Sequence, residues 1–340
     1  MTMTLPTRRI GPFTVSAIGL GCMNLSHGYG GLPSDEDGAR LLNHALDIGV
    51  TLLDTAAIYG EGANERLIRK AVMHRRNEFT LASKCVLDVF DGKRGLDGRP
   101  EAITGTLDRA LGRLGTDHID LYYLHRPDRR VPIEDSVGAL VRAKEAGKIG
   151  AIGLSEMSAA TVRRAHAVHP IAAVQNEYSP WARNPEVALL DACRELGIGF
   201  VAFSPVARGF LADAIDAATT YEPDDIRMVM PRFLEPQLSH NLKLLDRFRE
   251  AARAAGRTPA QLSLGWLLAQ GEDILPIPGT RSIAHLDEDV AAATLPPLDA
   301  DTVAAVDAIF APGAVAGRRY SPEMQAMVDT ELLPEEMEAA

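Results

Sequence analysis

The sequence predicts an α/β fold, a (β/α)8 TIM barrel in a single domain, with an N-terminal β-hairpin and long loops at the C-terminal face. Eight short apolar runs of strand-like composition alternate with amphipathic helical patterns along the 340 residues. Several helical patterns end in glycine just before the next apolar run, as in DIGVTLLD, KIGAIGLS and LGIGFVAFS. Strands that alternate with helices pair in parallel through right-handed crossovers, and eight such units close into a barrel.

The predicted strands are short and mostly apolar. They cover residues 16–22, 50–55, 79–84, 119–125, 149–155, 171–176, 198–204 and 273–278. Helix starts between them are indicated by Ser34 in an S-x-x-D cap, by Pro100, by Asn184-Pro185 and by Thr258-Pro259.

Segments outside the strands and helices complete the predicted barrel, which spans about 16–293 within one domain of residues 1–340. A C-terminal helix and tail are expected over about 298–340. The run RRIGPFTVS is expected to form a hairpin that plugs the opposite end of the barrel. Three long segments are expected near the active face, and they cover about 85–100, about 205–238 and the residues beyond about 310.

An open, doubly wound sheet is the alternative fold. The run GLGCMN in the first predicted strand has two glycines of a dinucleotide-binding turn. It lacks the third glycine, and no helix starts there. The barrel is therefore favoured.

Composition excludes several classes of partner. The chain is 46% hydrophobic with a net charge of -11, so its average surface repels nucleic acid and anionic membranes. No apolar run approaches the length of a membrane span, and the N-terminus does not resemble a signal peptide, so a cytoplasmic protein is expected. The three cysteines, Cys22, Cys85 and Cys193, are too far apart for a zinc ribbon and are expected to be reduced.

Polar residues end most of the predicted strands. Chemistry in a barrel of this kind takes place where the carboxyl ends of the strands meet. The residues at these ends are Asp54, Lys84, His125, Ser155, Gln175, Asn176, Phe203 and Ser204, with Gly279, Thr280 and Arg281 after the last strand. Each alone is more often a cap, a packing residue or a solvated strand end, but together they predict a site.

Three of these side chains, together with Tyr59, form a candidate proton-transfer group. A lysine ammonium at Lys84 lowers the pKa of a nearby phenol, and Tyr59 follows Asp54 closely in the chain. Asp54 is expected to keep Lys84 charged. A neutral imidazole at His125 can hydrogen-bond a substrate oxygen and orient it. The arrangement suits protonation of a carbonyl as it gains a hydride.

The hydride has to come from a cofactor, since no side chain supplies one. The polar groups of Ser155, Gln175 and Asn176 suit a carboxamide such as that of nicotinamide. The Phe203 ring offers a stacking surface. Gly279 and Thr280 are expected at the start of a helix, where free N–H groups bind phosphate, and Arg281 at a further phosphate.

The chain resembles the aldo-keto reductases, and specifically their bacterial aldehyde-reductase-like branch, over about residues 8–293. The resemblance rests on ordered blocks that include LLDTAAIYGEGANERLI, RLGTDHIDLYYLHRPD, VQNEYSPWAR and IPIPGTRSIAHLDED. It implies a barrel that binds NADPH without a Rossmann motif and a catalytic tetrad of Asp54, Tyr59, Lys84 and His125. The expected cofactor contacts are Gly21, Met23, Asp54, Ser155, Gln175, Phe203, Ser204, Val206, Arg208, Gly279, Thr280, Arg281, His285, Glu288 and Asp289.

Three positions depart from the family pattern. The family often has a basic or amide side chain where His285 stands and an asparagine where Asp289 stands. A neutral histidine holds a 2′-phosphate less firmly than arginine does, and an added carboxylate opposes it, so these two residues weaken an expected preference for NADP(H) over NAD(H). Glu156 replaces the asparagine of some branches.

The expected function is an NAD(P)H-dependent oxidoreductase that interconverts a small aldehyde or ketone and its alcohol, with the hydride from nicotinamide C4 and the proton from Tyr59. A cofactor-binding, redox-sensing module with little turnover is the alternative, and a hydrolase with two carboxylates is disfavoured because no second acid stands on a neighbouring strand end. No metal is expected, since His27, His125 and Asp54 lack ligand spacing. Candidate pocket residues are Trp181, Tyr29, Phe90 and Met23.

Overall fold

A barrel of parallel strands forms the centre of the protein in a computed structural model that describes residues 5–90 and 92–338. Two antiparallel hairpins lie outside it. The strands in chain order are β1 (Thr7–Ile10), β2 (Phe13–Ser16), β3 (Leu20–Gly21), β4 (Leu52–Asp54), β5 (Thr80–Cys85), β6 (Leu87–Phe90), β7 (Lys93–Leu96), β8 (Ile119–Leu124), β9 (Ile149–Ser155), β10 (Ala173–Glu177), β11 (Gly199–Phe203) and β12 (Ile274–Ile277).

The eight barrel strands follow the order β3-β4-β5-β8-β9-β10-β11-β12, and all neighbours are parallel. Backbone hydrogen bonds from Gly19 N to Pro276 O (3.0 Å) and from Gly21 N to Pro278 O (2.9 Å) join the first strand to the last. A Cβ at Gly21 would lie 2.9 Å from the Ile277 carbonyl oxygen, so the closure requires a glycine there. The predicted (β/α)8 barrel is confirmed.

Helices follow the strands and cover the barrel. Their bounds are α1 (Asp35–Asp47), α2 (Ala63–Val72), α3 (Pro100–Leu114), α4 (Ile133–Glu145), α5 (Ala159–Val168), α6 (Leu189–Leu196), α7 (Gln237–Ala254), α8 (Pro259–Ala269), α9 (Ile283–Ala291), α10 (Ala300–Ile309), α11 (Pro322–Gln325) and α12 (Pro334–Glu338).

The predicted helix starts are mostly confirmed. The Ser34 hydroxyl accepts from Asp37 N, Pro100 is the first residue of α3, and Thr258 forms a capping box before α8. The start at Asn184-Pro185 is wrong for the α-helix, because these residues form a single 3-10 turn and α6 begins later, at Leu189.

The N-terminal hairpin of β1 and β2 packs against the amino ends of the barrel strands. Ile10 and Val15 are buried in one apolar cluster with the inward-facing Leu121 and Val201. A Cβ at Gly11 would meet Ala172 at 2.6 Å, so the turn of the hairpin lies directly against the barrel. The hairpin therefore closes the end opposite the carboxyl ends of the strands, as predicted.

The three long segments lie at the carboxyl ends of the strands. The first contains the hairpin of β6 and β7, the second contains short 3-10 turns between β11 and α7, and the third is the tail after α10. Arg94, Arg227 and Tyr320, one residue from each segment, line the same cavity. The site is therefore built from strand ends below and from these segments around it.

Candidate active site

A cavity of about 510 Å³ opens at the carboxyl ends of the barrel strands. This volume is within the range typical of ligand-binding pockets. Tyr59 and His125 line it, and Lys84 lies fully buried behind them. The predicted cofactor-contact residues all line it, namely Gly21, Met23, Asp54, Ser155, Gln175, Phe203, Ser204, Val206, Arg208, Gly279, Thr280, Arg281, His285, Glu288 and Asp289.

Lys84 is the centre of a buried hydrogen-bonded cluster. Its ammonium forms an ion pair with Asp54 and donates to the Thr55 carbonyl oxygen (2.9 Å) and to the Tyr59 hydroxyl (3.4 Å). Burial lowers the pKa of Lys84, but Asp54 and Tyr59 outweigh burial and the pKa is raised. The lysine is therefore charged, as predicted.

The turn after β4 places Tyr59 beside Lys84. Ala56 and Ala57 are both fully buried, and Ala57 N donates to the Lys84 carbonyl oxygen at 3.3 Å. A larger side chain at either alanine would not fit against β5. The short loop therefore returns the phenol to the strand end that carries the ammonium.

The net direction of the Tyr59 pKa differs from the sequence-based expectation. Burial raises the pKa of the phenol more than Lys84 lowers it, so the pKa lies above its ordinary value. The charge effect of Lys84 has the expected sign, but it is the smaller effect. The phenol consequently keeps its proton at neutral pH.

His125 stands edge-on to Tyr59, with ring centroids 5.9 Å apart. Burial, followed by the cations Arg126 and Lys84, holds the pKa of His125 well below its ordinary value, so the imidazole is neutral as predicted. Within the described part of the chain, His125 Nδ1 is buried and has no hydrogen-bond partner. A buried nitrogen of this kind is satisfied when a ligand or water bonds it.

The amides near β10 have different surroundings. Gln175 Nε2 donates to Asp54 Oδ2 at 2.8 Å while the residue still lines the cavity. Asn176 does not line it, since Asn176 Oδ1 accepts from Glu156 N (2.7 Å) and its Nδ2 donates to Met157 O (3.2 Å). The suggestion that Asn176 binds a carboxamide is therefore wrong, whereas Ser155 and Gln175 both line the cavity.

A helix N-terminus faces the opposite end of the cavity. Helix α9 begins at Ile283 with Ser282 as its cap, so Gly279 and Thr280 precede the helix rather than start it. Arg281 lines the cavity, and its Nη1 donates to the carbonyl oxygens of Gly30 (2.6 Å) and Gly31 (2.5 Å). Part of the guanidinium is therefore used to hold a neighbouring loop.

The far wall carries His285, Glu288 and Asp289. His285 is exposed, whereas Asp289 is only 6% exposed. Burial, and then the charge of Glu288, raise the pKa of Asp289 to about 8. The Asp289 carboxyl is thus mostly protonated at neutral pH. It therefore repels a bound anion much less than a charged carboxylate at this position would.

A family model described as "Aldo/keto reductase family" matches residues 17–311. The chain belongs to this family. Membership implies NAD(P)H-dependent carbonyl reduction of small molecules, so the protein is an oxidoreductase. The resemblance noted from the sequence blocks is confirmed, and the match extends it into the segment after α10.

Two curated relatives cover nearly the whole of this aldo-keto reductase. Aldo-keto reductase yakc [NADP(+)] of Schizosaccharomyces pombe is 44% identical over 94% of this chain and 96% of its own length. Probable aldo-keto reductase 1 of Glycine max is 40% identical over 91% of this chain and 89% of its own. The match is therefore not confined to the catalytic blocks.

Solved structures of the family have the same fold. Glycerol dehydrogenase AKR11B4 from Gluconobacter oxydans superposes with a TM-score of 0.82 at 28% identity, covering 93% of this chain and 98% of its own. Aldo-keto reductase AKR11C1 from Bacillus halodurans, in its holo form, gives 0.75 at 25% identity, covering 94% and 98%. The barrel is the family fold.

The cavity of this aldo-keto reductase fits the dinucleotide that the family uses. It runs from Tyr59 and His125, past the half-buried Phe203 ring, to the residues before α9 and to Asp289.

Within the described residues, no helix is long and apolar enough to cross a membrane, and no cluster of three or more His, Cys, Asp or Glu side chains could hold a metal.

Sequence reasoning missed several residues of the cavity. Arg94, Arg126, Tyr320 and Met324 all line it. Arg126 follows His125 directly and could have been identified from that adjacency. Arg94 and the two tail residues lie in long segments whose position no periodicity indicates. Of the four candidate pocket residues, Tyr29 and Met23 line the cavity, whereas Trp181 packs against Phe210 and Phe90 lies outside it.

Asp289 predicts a specific pH dependence of stability. Its pKa is about 8 when folded and near 3.8 when unfolded, so the stabilisation it gives is complete below about pH 4 and is lost as pH rises to about 8. We expect Asp289→Asn to gain on the order of 3 kcal/mol of unfolding free energy over wild type between pH 4 and pH 8. Urea unfolding at both pH values measures this. The exposed Asp301→Asn is the control, and an equal response in both variants would contradict the prediction.

Proposed function

We propose that this chain is an NAD(P)H-dependent reductase of aldehydes or ketones in which Tyr59 gives the proton to the carbonyl oxygen. The observation that carries the proposal is the buried contact of Lys84 with both Asp54 and Tyr59, beside His125, at the inner end of the cavity. The fold does not require two buried charges at this position, because apolar residues packed there would stabilise it at least as well. Buried charges of this kind are instead typical of functional sites.

Each residue of the cluster has a distinct role. Tyr59 is the general acid, and Lys84 stabilises the phenolate that is left after proton transfer. Asp54 keeps Lys84 charged and fixes its position. His125, as a neutral imidazole, donates a hydrogen bond that orients the substrate oxygen. A nicotinamide cofactor, when bound, supplies the hydride.

The residues that would hold this cofactor run along the cavity. Ser155 and Gln175 are placed for its carboxamide, and the Phe203 ring for stacking against the nicotinamide. The free N–H groups at the start of α9 and the remaining nitrogens of Arg281 suit the phosphates. We infer a preference for NADP(H), supported by the mostly protonated carboxyl of Asp289 and by the NADP(+) in the name of the Schizosaccharomyces pombe relative.

Turnover tests the proposal directly. NADPH consumption is followed with a panel of short aliphatic and aromatic aldehydes, and NADP⁺ reduction with the matching alcohols. Stoichiometric conversion of NADPH and an aldehyde to NADP⁺ and an alcohol supports the reductase. Tight NADPH binding with no turnover of any compound would instead favour a redox-sensing module.

His285 predicts the strength of the cofactor preference. His285 is exposed at the wall of the cavity near Asp289, where a guanidinium could pair with a 2′-phosphate bidentately. We expect His285→Arg to raise the NADPH-to-NADH affinity ratio by about tenfold. Dissociation constants from fluorescence titration measure it. His240→Arg, on α7 away from the cavity, is the control, and an unchanged ratio in His285→Arg would refute the assignment.

A further inference from the structure

Two arginines stand at the substrate end of the cavity without a carboxylate partner. Arg94 lies on β7 and Arg126 directly follows His125, and both line the cavity. Within the described residues, the Arg94 side chain has no hydrogen-bond or ion-pair partner, although the Arg94 backbone pairs with Val89 in the hairpin. Arg126 has no ion pair there, and its Nη1 donates only to the His125 carbonyl oxygen (2.9 Å) and weakly to Ser155 Oγ (3.5 Å).

Two other arginines of the cavity wall are paired with carboxylates, whereas Arg281 donates only to the carbonyl oxygens of Gly30 and Gly31. Arg208 forms an ion pair with Glu177 (3.0 Å), and Arg227 forms one with Asp225 (2.6 Å). The acid nearest to the reaction centre, Asp54, is occupied by Lys84. Arginines without a carboxylate partner therefore lie at two places on this wall, namely Arg94 and Arg126 on the side of His125, and Arg281, where the cofactor phosphates are proposed to bind.

The charges of Arg94 and Arg126 act on each other and on the neighbouring histidines. Partial burial, and then the charge of Arg126, lower the pKa of Arg94. Both also lower the pKa of His125. Asp224 faces the neighbouring His27 and is the acidic group that offsets some of this field. A bound anion would relieve the repulsion.

The charge of the whole chain strengthens the argument. With a net charge of -11, the protein repels anions on average. An anionic ligand therefore needs a local positive site, and a planar guanidinium is the group that binds carboxylate or phosphate bidentately. The proposed phosphate-binding residues follow β12, which lies across the barrel from β8, the strand that precedes Arg126, so these phosphates do not account for the two cations.

We propose that Arg94 and Arg126 bind an anionic group of the substrate, so that the preferred substrates are aldehydes or ketones that also carry a carboxylate or a phosphate. This inference rests on the proposed carbonyl reduction and defines its substrate class. Tyr59 and His125 hold the carbonyl oxygen, and the two arginines hold the anion. Arg94 is a specificity residue and Arg126 serves both specificity and the position of His125.

Matched aldehydes test the inference. The probes are para-formylbenzoate, para-formylphenyl phosphate and the neutral methyl para-formylbenzoate, each with NADPH. We expect kcat/KM for at least one anionic probe to exceed that for the ester by about tenfold or more in the wild type. Added salt should reduce kcat/KM for the anionic probe selectively. The carboxylate and phosphate arms identify which anion the site prefers.

Substitutions on β7 give a matched control. Arg94→Met should lower the anion-to-ester ratio of kcat/KM about tenfold, and Arg94→Lys should lower it less. Lys93→Met removes the same charge from the adjacent residue, which is exposed and does not line the cavity, and should leave both probes unaffected. Circular dichroism checks that each variant is folded, and because Arg94 is partly open to solvent, its replacement should disturb the fold little.

The outcomes separate this inference from the proposed function. Turnover of all three probes at similar rates, or a ratio that Arg94→Met does not change, would overturn the anion site and leave the reductase intact. Absence of turnover with every probe would overturn the reductase. In that case calorimetric titration with benzoate and phenyl phosphate decides the anion site, since binding that Arg94→Met weakens and Lys93→Met does not supports it, and no binding overturns it.

Discussion

Replacing Tyr59 by phenylalanine is expected to lower the rate of carbonyl reduction by on the order of 10² to 10⁴, the contribution typical of a general acid. The substitution removes only the hydroxyl that lies 3.4 Å from Lys84 Nζ. The ring keeps its packing against Leu87 and Ile58. The loss should therefore fall on kcat, with little change in affinity for NADPH.

The pKa of Tyr59 indicates that the Tyr59→Phe substitution removes a protonated hydroxyl, which suits a proton donor and not a nucleophile. Burial raises the pKa of this phenol despite Lys84, so the hydroxyl is protonated throughout the neutral range. In the proposed reaction, Lys84 acts mainly after the proton has left, because its ammonium already donates to the oxygen that would become negative. Preorganisation of this kind costs no rearrangement during the reaction.

The Tyr59→Phe experiment needs a control variant in which a phenol oxygen is removed outside the cavity. Tyr122 is fully buried in the outer core and does not line the cavity, so Tyr122→Phe tests removal of a buried phenol oxygen without touching the site. Steady-state reduction of an aldehyde and fluorescence titration with NADPH are compared for both variants. Near wild-type turnover in Tyr59→Phe would reject its role as the acid.

The barrel could be predicted because its signals are local and repeated. The predicted strand 149–155 matches β9 (Ile149–Ser155), and each of the other seven overlaps the strand observed. The first is the least accurate, since only Leu20–Gly21 of the predicted 16–22 is strand. Ser16 there belongs to the N-terminal hairpin, and an apolar run does not reveal which of two sheets it joins.

The candidate catalytic cluster could be predicted for a similar reason. Asp54 ends β4, Lys84 is next to last in β5 and His125 directly follows β8, and parallel strands bring their carboxyl ends together. The sign of the Tyr59 pKa could not be predicted, because it depends on how deeply the phenol is buried. That depth comes from packing in three dimensions, whereas the charge of a neighbouring lysine can be read from residue type alone.

Contacts made by the tail could not be predicted. The departure at Glu156 is visible in the sequence, but its partner Arg319 lies 163 residues further along the chain. Glu156 also adopts a left-handed backbone with φ of 54°, a conformation that asparagine tolerates better than glutamate. The glutamate is explained only once its ion pair with the tail is known.

Arg319 ties the tail to the mouth of the barrel through buried charges. Its guanidinium donates to Glu156 Oε1 (2.9 Å), Glu177 Oε2 (3.3 Å) and Thr330 Oγ1 (2.9 Å). Its side chain is 4% exposed, and those of Glu156 and Glu177 are equally buried. The adjacent Tyr320 lines the cavity, so this ion pair also positions a wall of the substrate site.

Arg319→Met should therefore destabilise the protein by about 3 kcal/mol or more, because it leaves Glu156 buried without its counter-ion. The double variant Glu156→Gln with Arg319→Met removes the orphaned charge and should recover much of that loss, which a purely steric role of Arg319 would not allow. Urea unfolding measures both. Arg163→Met breaks the exposed ion pair with Glu195 and should change the unfolding free energy by less than about 1 kcal/mol. If Arg319→Met behaved like Arg163→Met, the tail would not be held by charge, and Tyr320 would have to be positioned by the apolar packing around it.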